Sequence, residues 1–221
     1  MEHLLIEFDQ LLAPDSFEPS HIDSTYVIAA TDYAQQVILP GLLSKIRQQA
    51  PGLKVIIQDM DIDNLSDSMT MGRVNLVIAF PDFVSSSYPC GTLFTENHVC
   101  VTSRGSPLAG RSVSLEELSQ YPQIITSSSR PNFRGSIDSW FEQFGLERNV
   151  VISAPCFSIV PLFLETTDTI AFLPSRALVN SNLAIIHLDE NPLSFDVIYA
   201  WHPRSNNDAL HNWVADLLRG E

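Results

Sequence analysis

The sequence predicts an α/β fold of two lobes, and three observations lead there. Residues 25–59 run strand, helix, strand: the apolar run Tyr26-Val27-Ile28-Ala29-Ala30, an amphipathic segment, then Val55-Ile56-Ile57. Such a unit places its two strands side by side and parallel, with a right-handed crossover. A comparable succession of helices and strands starts afresh beyond residue 102. Finally, a strand and an amphipathic helix are left over at the end (195–219), so the chain is expected to return to the first lobe. Two lobes joined by two crossovers make a ligand-binding clamp.

The elements follow in order. In residues 1–23 there is no Lys or Arg, and Leu4, Leu5, Phe8, Leu11 and Leu12 recur at helical spacing, predicting a helix over 2–12. It either packs on its own domain or is the tail of a longer helix. Pro14 and Pro19 then start a linker. After the first strand, Thr31 and Asp32 suit the N-cap and first turn of a helix over 33–49, which Pro51-Gly52 stops. Ligands bind outside the carboxyl ends of strands in such sheets, which puts Thr31 and Asp32 at the mouth of a site. Asp59, Asp61 and Asp63 read as a loop and the first turn of a helix over 63–71; they lack the glycine and distal Glu of a calcium loop, and no metal is expected. Leu76 to Phe80 gives a third buried strand.

A strand over 94–102 carries His98 among apolar neighbours. The second lobe then follows with a helix near 115–118, a strand at 123–126 and the loop Ser127-Ser128-Ser129. A helix over 133–144 presents Ile137, Trp140, Phe141 and Phe144, and a strand lies at 150–152. Next come a short helix capped by Ser158, with Pro161 in its first turn, and strands at 170–174 and 183–188. The crossovers are expected near 99–102 and 197–200, with a last helix over 206–219. That divides the chain into a linker (1–23), lobe I (24–98 plus 201–221) and lobe II (99–200).

Composition narrows the function. The chain has 221 residues and is 45% hydrophobic, enough for a core of one large or two small domains. Its formal charge of −14, from 26 acidic against 12 basic residues, does not suit a nucleic-acid surface. No apolar run reaches spanning length, so no membrane association is expected, and no secretory leader pattern opens the sequence. Cys90, Cys100 and Cys156 lie far apart without metal spacing, which reads as reduced cytoplasmic thiols. There is no G-x-S-x-G elbow, HExxH or phosphate loop, so no catalysis is expected.

The order "AATDYAQQVILPGLLSKIRQQAPGLKV", "MGRVNLVIAF", "ENHVCVTSRGSPLA", "SLEELSQYP", "SAPCFSIVPLFLETTDTIAFLPSRA" and "DVIYAWHPRSNNDALHNWVADLL" resembles the LysR-type transcriptional regulators, in their effector-binding domain. The likeness covers about 17–219. Thr31-Asp32-Tyr33, Asn97-His98 and Trp201-His202 are most similar to the NodD, NahR and LeuO branch. Asn75 departs from the family's usual Asp in G-x-x-D-L, and Thr167-Asp168 from its G-x-G.

The resemblance implies the type 2 periplasmic-binding-protein fold: two Rossmann-like lobes joined by two crossover strands. It makes residues 2–12 the end of a linker helix, with a winged helix-turn-helix domain missing ahead of it. The implied function is effector sensing in a cytoplasmic regulator that reaches DNA only through that missing domain, with RNA polymerase as a further partner. A small aromatic or amphipathic acid is the implied effector, and no cofactor is called for. The implied ligand residues are Thr31, Asp32, His98, Ser127, Ser128, Ser129, Cys156, Phe157 and His202. Each has a structural alternative: Thr31 and Asp32 as helix caps, Ser127–Ser129 as an ordinary loop, His98 as a core histidine, Cys156 and Phe157 as core, His202 bonding the hinge backbone. A homodimer or tetramer is implied, in which the 33–49 helix of one copy packs on the 133–144 helix of another, with Leu42 and Leu43 at the contact. A transport solute-binding protein has the same fold and is the alternative reading.

Overall fold

The structure, a computed structural model, describes residues 17–127, 132–179 and 181–220. The helix expected over 2–12 and the positions Ser128 and Ser129 lie outside them. Two five-stranded sheets carry the two lobes, ordered β2-β1-β3-β10-β4 and β7-β6-β8-β5-β9.

In lobe I, β1 (Thr25–Ala30) pairs in parallel with β2 (Lys54–Asp59) and β3 (Leu76–Ala79). The helical stretch after β1 is two helices, α1 (Asp32–Val37) and α2 (Leu39–Gln49), and not one. Pro40 explains the break, since it has no N–H to donate and its ring crowds the carbonyl of Gln36. After β2, Asp61 caps a 3-10 turn (Ile62–Asn64) leading into α3 (Leu65–Thr70), so that acid is a local cap. Asn75, the departure from the family's Asp, clamps β1 to the start of β3: its side chain accepts from the Val27 N–H at 2.8 Å and its own N–H donates to the Val27 carbonyl at 2.9 Å. An amide oxygen does here what a carboxylate oxygen would.

Two expectations about the crossovers are corrected. The strand expected over 94–102 is two strands, β4 (Cys90–Glu96) in the first sheet and β5 (His98–Ser103) in the second, so the chain crosses at Asn97. The strand β10 (Phe195–Ala200), assigned by sequence to lobe II and the return crossover, lies between β3 and β4, antiparallel to both. The return therefore occupies 187–194. An apolar strand with Val197 and Tyr199 buried fits the core of either sheet, which is why its pattern does not say which one it joins.

Lobe II follows the same plan with α4 (Leu115–Gln120), β6 (Gln123–Thr126), α5 (Asp138–Gln143), β7 (Val150–Ala154), α6 (Val160–Thr166), β8 (Ile170–Pro174) and β9 (Leu183–Ile186). Here β6 is parallel to β7 and β8, while β5 is antiparallel to β8 and β9. Ser158 is not the cap of α6, which Ile159 precedes; its side chain serves another purpose, described below. The final helix α7 (Ala209–Arg219) is capped by Asp208 and buries Val214 and Leu217 against lobe I. The lobes share core as well as chain: the 3-10 turn after β8 (Ser175–Leu178) inserts Ala177 into the lobe I core.

Candidate functional site

A cavity of about 650 Å3 lies between the lobes. Its walls come from the segments after four parallel strands: Thr31 and Asp32 after β1, Phe80 to Phe83 after β3, Thr126 and Ser127 at the end of β6, and Cys156 and Phe157 after β7. His98 and Phe195 close it where the chain crosses between lobes, and α5 contributes Trp140. The carboxyl ends of both sheets thus face one space, the place where open α/β sheets bind ligands. Its size suits a molecule of one or two rings.

Of the residues selected from sequence, Thr31, Asp32, His98, Ser127, Cys156 and Phe157 line this cavity. His202 does not. It follows β10, which runs antiparallel to β3, so the end of β10 points away from the cleft. There its Nδ1 accepts from the Arg204 N–H at 3.2 Å and its ring lies 6.0 Å from that of Tyr88.

Asp32 and Thr31 are held by the fold. The Thr31 N–H donates to Ile78 on β3, and its hydroxyl accepts from the Ala34 N–H, capping α1. Asp32 reaches across to lobe II, accepting from the Ser158 N–H at 3.0 Å and the Ser158 hydroxyl at 2.9 Å. Behind it sits a second inter-lobe bond set. Glu96, buried at the crossover, accepts from the Tyr33 hydroxyl (2.5 Å), the Ser175 hydroxyl (2.6 Å), the Asn97 N–H (2.7 Å) and the Arg176 N–H (3.3 Å). Burial by itself would push its carboxyl up; these four donors together outweigh that and hold it below the usual carboxylate range. Tyr33, buried and beside that carboxylate, is pushed the other way and keeps its proton.

His98 differs. Burial lowers its pKa to about 4, so its ring is neutral near pH 7. The ring lies 4.5 Å from that of Phe195, and its Nδ1 is buried without a hydrogen-bond partner among the described residues. The hydroxyl of Thr126 is the other such atom. Both residues line the cavity, and buried polar atoms are otherwise almost always paired.

The far wall is braced from behind. Arg148, nearly fully buried, stacks on Phe141 and Phe172 and donates to Gln123 at 2.8 Å and to Asp138 at 3.3 Å. Asp138 also accepts from the Gly135 N–H at 2.5 Å, fixing the loop ahead of α5. Among the described residues no group of His, Cys, Asp and Glu is gathered as for a metal ion.

Sequence reasoning missed Thr126, Trp140, Phe80, Phe83 and Phe195. Phe80 directly follows β3 and Thr126 ends β6, and the same rule that selected Thr31 would have selected them. Trp140 stood only as part of the apolar face of its helix, because helical spacing does not tell a core or contact face from a cavity wall. Phe195 could be found only once β10 was known to enter the sheet from the cleft side.

The family model described as the LysR substrate binding domain matches residues 20–221. NagR from Ralstonia sp, an HTH-type transcriptional activator, is 25% identical over 212 residues, which cover 94% of this chain and 70% of NagR. A probable transcriptional regulator from Pseudomonas aeruginosa superposes with a TM-score of 0.82 at 21% identity, covering 99% of this chain and 73% of the other. The BenM effector binding domain, solved with its effector benzoate, superposes with a TM-score of 0.72 at 16% identity, over 90% of this chain and 92% of that one. The chain belongs to the LysR substrate-binding domain family, the effector-sensing domain of LysR-type transcriptional regulators.

Proposed function

We propose that the inter-lobe cavity binds a small-molecule effector, and that binding changes the angle between the lobes. The observation that carries this is the pairing of shape with chemistry: a cleft at the carboxyl ends of both sheets, walled by aromatic side chains, with two of the lining residues, His98 and Thr126, each carrying a buried polar atom left unpaired among the described residues. Thr31, Asp32, His98, Ser127, Cys156 and Phe157 are the proposed contacts, joined by Thr126, Trp140 and Phe195. An effector shifts the lobes only by its differential affinity for two arrangements, and the Asp32–Ser158 and Glu96 contacts are where those arrangements differ.

We place the protein in the cytoplasm as the sensing part of a regulator that contacts DNA through a separate domain, acts on RNA polymerase and catalyses nothing. It pairs with a second copy through α1–α2 on one side and the α5 region on the other. Leu43 is partly exposed on α2, whereas Leu42 is buried in the lobe I core, so only Leu43 suits that contact. The edge strands support the same surface, with Ile56 on β2 and Val151 on β7 both exposed. Such an interface is isologous.

Native mass spectrometry of the purified chain, followed by the same measurement on Phe157→Asp, tests the cavity. A co-purifying small molecule that the variant loses supports the assignment; one retained by the variant places the site elsewhere.

A further inference from the structure

We infer that the cavity selects an uncharged aromatic molecule through hydrogen bonds from its polar group to the Thr126 hydroxyl and to His98 Nδ1, and that it discriminates against carboxylates. This deepens the effector-binding proposal and rests on it.

Four observations carry the choice of charge. The two unpaired buried atoms belong to uncharged side chains, and each can take either role in a hydrogen bond: a threonine hydroxyl donates and accepts, and a neutral imidazole nitrogen does one or the other by tautomer. The end of α1 that would draw an anion already holds one, because Asp32 stands in its first turn and Thr31 caps it. Asp32, Asp82 and Asp196 all lie on the lining, while Arg134, the cation among the described lining residues, is paired with Glu142. The buried guanidinium behind the wall, Arg148, is paired with Asp138. Among the described residues, a carboxylate entering this space would give up its water without meeting a cation that is not already paired, which is the costly case.

The spacing also fits. His98 opens β5 and Thr126 ends β6, and β8 lies between them, pairing with both. Two strand spacings put their backbones about 10 Å apart at one end of the sheet. A single ring with its polar group toward either residue fits between them, against Phe195 and Trp140.

Three probes of one ring each separate the outcomes: benzamide, benzoate and benzylammonium, titrated into the isotope-labelled chain and followed by backbone amide shifts. The expected result is that benzamide perturbs cavity residues with an apparent Kd about tenfold below the other two. Thr126→Val and His98→Phe should each erase most of that preference. Benzoate binding in the cavity as tightly as benzamide, or tighter, overturns the proposal and leaves the cavity assignment standing; so does benzylammonium ranking first. If none of the three moves a cavity resonance at its solubility limit, the cavity assignment itself fails. The ranking in the unmodified chain needs no variant to fold.

Discussion

Glu96 and His98 are two residues apart at the crossover between lobes, both largely buried, and they solve burial in opposite ways. Glu96 accepts four hydrogen bonds from both lobes, so its charge is stabilised in place. His98 gives up its charge and leaves a ring nitrogen with no partner at the edge of the cavity. A saturated polar group is part of the frame, because removing it strands its partners. An unsaturated one contributes nothing to the frame and costs stability where it stands, so its retention at a cavity wall points to a ligand. The hinge and the binding wall are thus separable within one short stretch of chain.

The largest way to break this comparison is Glu96→Ala. It leaves the Tyr33 and Ser175 hydroxyls and two N–H groups without their shared acceptor, and should cost about 3–5 kcal/mol in denaturant unfolding. A loss under 1 kcal/mol would mean that water replaces the carboxylate and that the hinge is not held there.

Acid should act next, in two windows. The folded pKa of His98 lies at about 4, below its ordinary 6.5, so the unfolded chain takes up a proton first as pH falls. Stability is therefore expected to drop between pH 6.5 and about 4, by up to about 3 kcal/mol, and to stop dropping from this cause below that. His211, buried and also lowered by burial, adds to the same window. Glu96, held below its ordinary value, adds its loss only at more acid pH. His98→Phe should shrink the upper window to the part that His211 carries and leave the lower one, checked by melting temperature against pH.

Asp32→Ala ranks third. It removes two inter-lobe hydrogen bonds to the half-exposed Ser158 site, worth about 1 kcal/mol, and should widen the inter-lobe distance distribution seen by spin labels on the two lobes. An unchanged distribution would leave Glu96 as the sole latch.

The smallest effect is the most diagnostic. Thr126→Val keeps the volume and removes an unpaired hydroxyl, so stability should stay within about 0.5 kcal/mol of the parent or rise slightly. A marked loss would show that the hydroxyl has a structural partner.

The order of strands and helices was legible because apolar runs such as Leu76 to Ala79 declare buried strands by composition alone. Sheet membership was not: β10 and β5 bury alike, and only pairing told that one joins lobe I and the other lobe II. The same gap misplaced His202, since the direction of β10 decides which end of the sheet it reaches. Thr31 and Asp32 were legible as cavity lining because they directly follow a parallel strand, whereas Ser127, Cys156 and Phe157 came from the family resemblance. Glu96 was passed over because an acid near a loop reads as solvated, and nothing local to it announces Ser175 and Arg176, which arrive from 79 and 80 residues along the chain.

The separation of frame from binding wall is tested most directly at the imidazole of His98. A long-range nitrogen–proton spectrum of the histidine rings resolves Nδ1 of His98 from that of His211, which is bonded to Tyr26 at 2.8 Å. On saturation with benzamide, His98 Nδ1 should shift as it gains a hydrogen-bond partner while His211 stays fixed. Cavity amides that move while His98 Nδ1 does not would contradict its place in recognition.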